Sequence, residues 1–206
     1  QGVRAFGTED QLAEMAEIMN DKLQTMKDKH DITLEYLRMG ALKGLIKDAD
    51  GSTLYDLYSE FGITQKTVSF ALSTDTTDVR AKCFEVIRHI EDNLQGENML
   101  GVHCLCTGDF MDALISHPNV YETFLYQVSS QLREDVRKNF NFGGISFEEY
   151  RGTADDPEGN ARAFIATGEA HFFPTGTGNT FFTAVAPADF LETANTRGRI
   201  YYAKQE

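Results

Sequence analysis

Tryptophan is absent from this chain of 206 residues, cysteine occurs three times, and basic residues are far fewer than acidic ones. The odd number and uneven spacing of Cys83, Cys104 and Cys106 argue against a disulfide framework and favour a reducing compartment. No apolar run approaches the roughly 18 residues that a membrane-spanning helix needs, and the sequence shows no signal segment. We therefore expect a protein that does not enter a membrane and that is either cytosolic or assembled in a cytosol.

Acidic residues outnumber basic ones 32 to 19, which gives a formal net charge of −13. Nucleic-acid binding depends on clustered Lys and Arg, because these side chains neutralise phosphates. A chain this acidic has no such electrostatic drive, so we do not expect it to bind nucleic acid. Its hydrophobic fraction of 41%, with 15 Phe and 8 Tyr, is that of a globular domain with a sizeable core.

Two motifs could carry chemistry, and both are incomplete. The segment Gly176-Thr-Gly178-Asn-Thr180 resembles a phosphate-binding loop, but it lacks the Gly-Lys-Ser/Thr ending and the helix that follows such a loop. His103, Cys104 and Cys106 offer metal-ligand atoms, yet alternation along a strand sends His103 and Cys104 to opposite faces. We expect a turn at the first motif and buried small residues at the second.

The remaining candidates lack the partners that their chemistry requires. No histidine has a patterned carboxylate or nucleophile near it, and the Gly-x-Ser-x-Gly motif of hydrolases is absent. Glu14 and Glu17 lack the Glu-x-x-His partner of a di-metal bundle. We therefore predict no catalytic, cofactor-binding or metal-binding residue. The five histidines considered are His30, His89, His103, His117 and His171.

One apolar stripe dominates the first 46 residues. Its members recur every 3.7 residues or so, the period of a nearly straight helix and longer than a left-handed coiled coil requires. Thr8 and Gln11 supply a capping box, and no Gly or Pro intervenes before Gly40. We predict a helix over residues 8–46, on the order of 55 Å long. The stripe comprises Leu12, Met15, Met19, Leu23, Met26, His30, Leu34, Leu37, Ala41 and Leu45.

Turn-forming residues follow the predicted helix. Residues 47–53 lie between two apolar segments, and this arrangement predicts a hairpin over residues 47–62. Asp48 and Asp50 are spaced like calcium ligands, but Gly51 comes one place early and the bidentate Glu of an EF-hand is missing. We expect an acidic turn without calcium.

Residues 67–206 mix short strands and helices and contain no internal repeat, so we predict an α+β unit. The predicted strands span residues 67–72, 100–106, 142–150, 161–166, 170–173, 180–185 and 199–203. The predicted helices span residues 78–95, 107–116, 119–131 and 187–194. Residues 151–160 are expected to form a polar, acidic loop. An acidic cluster extends from the preceding strand into this loop and is either solvated or paired with Arg or Lys of a neighbouring subunit. The cluster comprises Glu148, Glu149, Asp155, Asp156 and Glu158.

An ordered series of segments resembles the phage lambda major capsid protein E family. It includes Gly40-Ala-Leu-Lys-Gly-Leu-Ile46 and Leu191-Glu-Thr-Ala-Asn-Thr-Arg-Gly198. The resemblance extends over nearly the whole chain, although no single motif is specific by itself. The other segments are residues 4–12, 50–51, 54–62 and 200–204.

The resemblance implies an α+β tailed-phage major capsid fold of the Hong Kong phage type. In that fold residues 1–66 belong to the peripheral domain, with the spine helix at 8–46 and the β-hairpin at 47–62. Residues 67–197 form the mixed α+β axial domain, and residues 198–206 form a strand that returns to the peripheral domain. Family members also carry an N-terminal arm, an extended loop and further C-terminal strand, so we expect this sequence to be a trimmed core.

The implied function is that of a structural subunit of a bacteriophage or prophage icosahedral capsid, assembled in the bacterial cytoplasm and located in the virion. Its partners would be other copies in hexamers and pentamers, with scaffold and decoration proteins as further candidates. One alternative is a non-viral helical scaffold or binding protein, and another is a metal-assisted hydrolase around His103 and Cys106. A capsid subunit is expected to cover the stripe with its own sheets, whereas a scaffold presents the stripe to another chain.

Overall fold

A computed structural model describes residues 11–125, 136–156 and 158–199. These residues form helices, one mixed sheet and two antiparallel hairpins, so the predicted α+β class is confirmed. The helices are α1 (Gln11–Lys43), α2 (Leu57–Phe61), α3 (Val79–Asn93), α4 (Gly108–Ser116) and α5 (Pro118–Leu125). The strands are β1 (Leu45–Lys47), β2 (Thr53–Asp56), β3 (Gly101–Cys106), β4 (Phe140–Phe142), β5 (Ile145–Glu149), β6 (Thr153–Asp155), β7 (Ala161–Ala163) and β8 (Ala170–Thr175).

Helix α1 is the long helix that the stripe predicts, with 33 described residues and a length of about 50 Å. It ends at Lys43, so the predicted end at residue 46 is wrong. Gly44 adopts a left-handed φ of +83° and breaks the helical hydrogen-bond pattern. The Tyr58 hydroxyl then donates to the Lys43 carbonyl at 2.7 Å, which satisfies one of the terminal carbonyl groups of the helix.

The hairpin after α1 begins earlier than predicted. Strands β1 and β2 pair antiparallel from Leu45 opposite Asp56 to Lys47 opposite Thr53, so the predicted start at residue 47 is wrong. The second strand of the predicted hairpin does not continue to residue 62, because helix α2 begins after β2. The Asp56 carboxylate caps this helix by accepting hydrogen bonds from the amides of Tyr58 and Ser59.

The main sheet has the strand order β4-β5-β3-β8. Strand β3 runs parallel to β5 and antiparallel to β8, while β4 and β5 form a hairpin. The strand predicted at 142–150, entered through its glycines, corresponds to β5, although Phe142 belongs to the separate strand β4. Gly143 and Gly144 both have positive φ, and a two-residue turn with that pattern reverses the chain between β4 and β5.

The larger core lies between one face of this sheet and helices α3, α4 and α5. Alternate residues of β3 are buried, and the helices bury residues at helical spacing against them. Burial of this apolar surface provides the main drive for folding. The core includes Val79, Cys83 and Val86 of α3, Phe110, Met111 and Leu114 of α4, Val120 of α5, and Val102, Cys104, Cys106, Phe140, Phe142, Ile145 and Phe147 of the sheet.

A smaller core joins α1 to the other sheet face. Met39 of α1, Phe164 and Ile165 are buried together, and Leu105 of β3 and Tyr150 pack against them. The division of the chain into a peripheral part, an axial domain from residue 67 and a returning strand stays a prediction. What the two cores establish is that the last turns of α1 pack on the unit that contains the sheet.

Several predicted elements are absent from the described residues. Residues 67–72 form no strand, because Phe70 and its neighbours Val68 and Leu72 satisfy the alternating pattern by packing on the larger core without pairing their backbone. Residues 180–185 form no strand either, since the adjacent Phe181 and Phe182 are both exposed. Of the helix predicted at 187–194, only the 3-10 turn Leu191–Thr193 is present.

The predicted acidic loop at 151–160 contains strand β6, which pairs with β7 to form a hairpin. The predicted strands at 100–106 and 170–173 and the helices at 78–95 and 107–116 correspond to β3, β8, α3 and α4. The capping box at Thr8, the end of the helix predicted at 119–131, and residues 200–203 of the last predicted strand lie outside the described residues.

Replacing Gly44 by Ala tests the junction after α1. A Cβ there would lie 2.5 Å from the Tyr58 ring, and the alanine would have to keep the positive φ of Gly44. We expect Gly44→Ala to lower the free energy of unfolding by about 2–4 kcal/mol, from backbone strain and overpacking together. The measurement is chemical denaturation followed by circular dichroism.

Gly62→Ala is the matched control, because Gly62 also has a positive φ but nothing lies within 4 Å of its added Cβ. This variant is expected to lose only the backbone cost, about 1 kcal/mol. Equal losses for the two variants would contradict the proposed packing of Tyr58 over Gly44.

Candidate assembly surface

The first two thirds of α1 make an exposed apolar surface. Every residue from Met15 to Ile32 is exposed, although the apolar residues recur at helical spacing. Met15 is 64% exposed and Leu23 is 55% exposed. We call Met15, Met19, Leu23 and Met26 the exposed stripe. Covering the exposed halves of these four side chains would contribute on the order of 3–6 kcal/mol.

A different face of α1 packs against the rest of the chain. Tyr36 and Met39 contact Phe164 and its neighbours, with the Tyr36 and Phe164 rings 5.1 Å apart. Met39 follows Leu37 by two residues and so lies about 200° around the helix from the stripe. Leu37, which continues the stripe, is half-buried. The expectation that the chain covers its own stripe is therefore wrong for the exposed stripe.

Two polar contacts fix the packed face of α1. The Lys43 ammonium donates to the Phe164 carbonyl at 2.6 Å, and the Tyr150 hydroxyl donates to the Glu35 carboxylate at 2.6 Å. Burial lowers the pKa of Lys43, and the nearby Glu169 carboxylate partly offsets this effect. Burial raises the pKa of Tyr150, and the hydrogen bond to the Glu35 carboxylate raises it further. These contacts hold α1 in one rotation about its axis.

His171 of β8 stands beside this junction. Its Nε2 atom lies 3.5 Å from the Glu169 carboxylate, too long for a strong hydrogen bond. Burial lowers the pKa of His171, and the positive charge of Lys43 also acts in that direction. The neutral imidazole is favoured, so this histidine packs between helix and sheet.

Lysines border the exposed stripe, and acids occupy the opposite side of the helix. Successive residues are about 100° apart around a helix, which places Lys22 and Lys29 on one edge of the stripe and Lys27 on the other. Glu17 and Asp28 lie near the opposite side. An apolar surface edged by basic residues fits a partner that is apolar and acidic.

A second exposed apolar surface lies near the other end of the described chain. We call residues 180–192 the acidic segment, because it carries Asp189 and Glu192 and contains no Lys or Arg. Phe182 is 85% exposed and Leu191 is 94% exposed. Apolar exposure on this scale, concentrated in a short segment, is typical of an interaction site.

The glycine-rich motif at residues 176–180 encloses a carboxylate of the same chain. The Glu97 carboxylate accepts hydrogen bonds from the Asn179 amide at 2.5 Å and from the Thr180 hydroxyl at 2.7 Å. The Thr180 hydroxyl, followed by the Asn179 amide, lowers the pKa of Glu97. The predicted turn follows β8, but it does not lead into a strand.

The thiols and His103 do not form one site. Cys104 and Cys106 point into the larger core, and His103 lies on the opposite face with its Nε2 atom 3.1 Å from the Glu148 carboxylate. Burial raises the pKa of Cys104 well above its usual value and raises the pKa of Cys83 to about 12. A metal needs the thiolate form, which this environment disfavours.

The predicted acidic cluster divides into separate intramolecular contacts. Asp156 is buried, accepts hydrogen bonds from the Glu158 and Asn160 amides, and pairs with Arg162 at 3.1 Å. The Asn160 amide is the first cause of the lowered pKa of Asp156. Glu148 contacts His103, while Glu149 lies 3.7 Å from Arg151. Pairing with a neighbouring subunit is thus not required to stabilise Asp156.

Among the described residues, no group of three or more His, Cys, Asp or Glu side chains is arranged to hold a metal ion. In the same part of the chain, no helix is both long and apolar enough to cross a membrane.

A family model described as phage major capsid protein E matches residues 1–206. The chain belongs to the phage major capsid protein E family. The resemblance predicted from the ordered segments is therefore confirmed.

Two curated relatives are each named major capsid protein. The relative from Pseudomonas phage KPP10 is 36% identical over 221 residues, covering 98% of this chain and 63% of the relative. The relative from Salmonella phage Felix O1 is 30% identical over 232 residues, with the same two coverages. The chain thus spans a little under two thirds of the length of these two relatives.

Sequence reasoning located the stripe of this capsid-family chain but missed the face of α1 that packs internally. Tyr36 and Met39 are too few to form a second periodic pattern, and only the position of Phe164 reveals their role. Sequence reasoning also missed the acidic segment, although the absence of Lys and Arg between Arg162 and Arg197 could have indicated it.

Thiol labelling tests the buried placement of the three cysteines in this capsid-family chain. All three side chains are fully buried, and burial raises the pKa of Cys83 and Cys104. We expect a thiol reagent at neutral pH to label none of them in the folded chain within minutes and all three after unfolding in denaturant. Rapid labelling of any thiol in the folded state would show that the helix–sheet core is not packed as described.

Proposed function

We propose that this chain forms the folded core of the structural subunit of a bacteriophage or prophage icosahedral capsid, which self-assembles into the shell enclosing the viral DNA. Membership of the phage major capsid protein E family and two relatives named major capsid protein support this function. The non-viral scaffold alternative is not favoured. The role is structural, so we infer no enzymatic activity.

The exposed stripe carries the proposal physically. Exposing a stripe of Met and Leu side chains to water is unfavourable. Assembly of a shell would cover this surface, because each copy could pack on its neighbour. Isolated helical turns without tertiary contacts are only marginally stable, so assembly would also stabilise the first half of α1. Other copies of the chain, arranged in hexamers and pentamers, are the partners inferred here.

Charge supports the same function. The net charge of −13 opposes tight binding to packaged DNA, because acidic residues, which phosphates repel, outnumber Lys and Arg by 32 to 19. DNA would be enclosed by the shell and held without specific contacts. We place the assembled protein in the virion and its assembly in the bacterial host cytoplasm, where scaffold and decoration proteins could also bind.

A charge placed on the exposed stripe tests this function. Leu23→Glu is made in the whole reading frame that contains this chain, expressed in bacteria. We expect shells from the unaltered protein and at least about tenfold fewer from Leu23→Glu, because burying an unpaired carboxylate costs several kcal/mol. Electron microscopy and sedimentation count the shells, and circular dichroism checks that the variant folds.

Gln24→Glu is the control, since it adds the same charge one residue away on the acidic side of α1. Its shell yield is expected to stay near that of the unaltered protein. The function is contradicted if the unaltered protein forms no closed or ring-shaped assembly. The role of the stripe is contradicted if both Glu variants assemble equally well.

A further inference from the structure

The exposed stripe of α1 and the acidic segment are two apolar surfaces that the described residues of this chain leave uncovered. Leu23 and Phe182 both remain more than half exposed, so neither surface covers the other within one copy. Part of the acidic segment is nevertheless held in place, because the Phe181 ring packs edge-on against Phe173 with centroids 6.2 Å apart. Phe182 and Leu191 are thereby left facing outward.

The charges of the two surfaces are complementary. Lys22, Lys27 and Lys29 border the exposed stripe, whereas the acidic segment carries Asp189 and Glu192 and no basic residue. Opposite charges at the rim of an apolar contact fix its register and suppress pairing of like surfaces. The stripe would repel another stripe through its lysines, and the acidic segment would repel another acidic segment.

The sizes of the two surfaces also agree. The exposed stripe runs from Met15 to Met26, about 17 Å along the helix axis. Residues 180–192 can extend over as much as about 40 Å, so the segment can follow the full stripe. No helix or strand constrains residues 182–187, which leaves their backbone able to conform to a helical surface.

We propose that the exposed stripe of α1 in one copy is covered by the acidic segment of a second copy. The inference rests on the proposed function, because it names the surface that meets the stripe in the assembled shell. Two different surfaces meet in this contact, so it can repeat from copy to copy as a heterologous contact, which generates a ring when the rotation closes. That geometry is the one required for a capsomer of five or six subunits.

Crosslinking between two single-cysteine variants tests this pairing. Leu23→Cys is made in a tagged copy of the whole protein and Val185→Cys in an untagged copy, and the two are co-expressed. A short bis-maleimide then joins exposed thiols, and the buried native cysteines of this chain are expected not to react. The tagged and untagged chains differ in size, so a mixed dimer on a denaturing gel reports contact between copies.

We expect the mixed dimer at a yield at least about tenfold above that of the control pair Gln24→Cys with Val185→Cys, because thiols held across an interface meet at millimolar effective concentration. Adding Lys27→Glu to the tagged copy should lower the yield, and Asp189→Lys in the untagged copy should restore it. The yield of mixed dimer is measured on the purified assemblies that the co-expressed chains form.

The outcomes separate this inference from the proposed function. Shells without the mixed dimer, or equal yields for the Leu23 and Gln24 positions, overturn the pairing and leave the shell function standing. A failure of the unaltered protein to form any assembly contradicts the shell function itself, and the absence of crosslinks in that case overturns the pairing as well.

Discussion

Helix α1 carries apolar side chains on two faces, and only one of them is covered by the part of the chain that the structure describes. The covered face, with Tyr36 and Met39, seats the helix on the sheet-containing unit through Phe164 and Ile165. The other face leaves Met15, Met19, Leu23 and Met26 exposed to solvent. Because apolar surface of this extent is unfavourable in water, we propose that another copy covers it in the assembled shell. The rest of the structure holds α1 in the orientation that leaves this face exposed.

The support is a short junction with several independent contacts. Gly44 ends the helix, Tyr58 closes over it, and Lys43 reaches the Phe164 carbonyl. Each contact alone is modest, since a hydrogen bond contributes only about 0.5–1.5 kcal/mol net. Together they fix the rotation of α1, which places Met39 in the smaller core and sets the direction in which the exposed stripe points. A rotation of half a turn would expose Met39 and bring Leu37 toward that core, while residues 15–32 would stay exposed, since they are exposed on every side of the helix.

Sequence alone predicted the elements whose patterns are long and local. The stripe of α1 repeats over many turns, and the buried faces of α3 and β3 follow their own periods, so these elements were correctly identified. Residues 67–72 show the limit of this reasoning, because alternation records which side chains are buried and not whether the backbone pairs. The face of α1 that packs internally depends on Phe164, more than a hundred residues away, and no local pattern contains that information.

Hydrogen exchange along α1 tests most directly whether the stripe is free in the isolated chain and covered in the shell. In the isolated chain, amides of residues 15–30 should exchange much faster than those of residues 36–43, because only the latter turns have tertiary contacts. On assembly, residues 15–30 should gain protection while residues 36–43 change little. Unchanged exchange of residues 15–30 between isolated chain and shell would contradict the account.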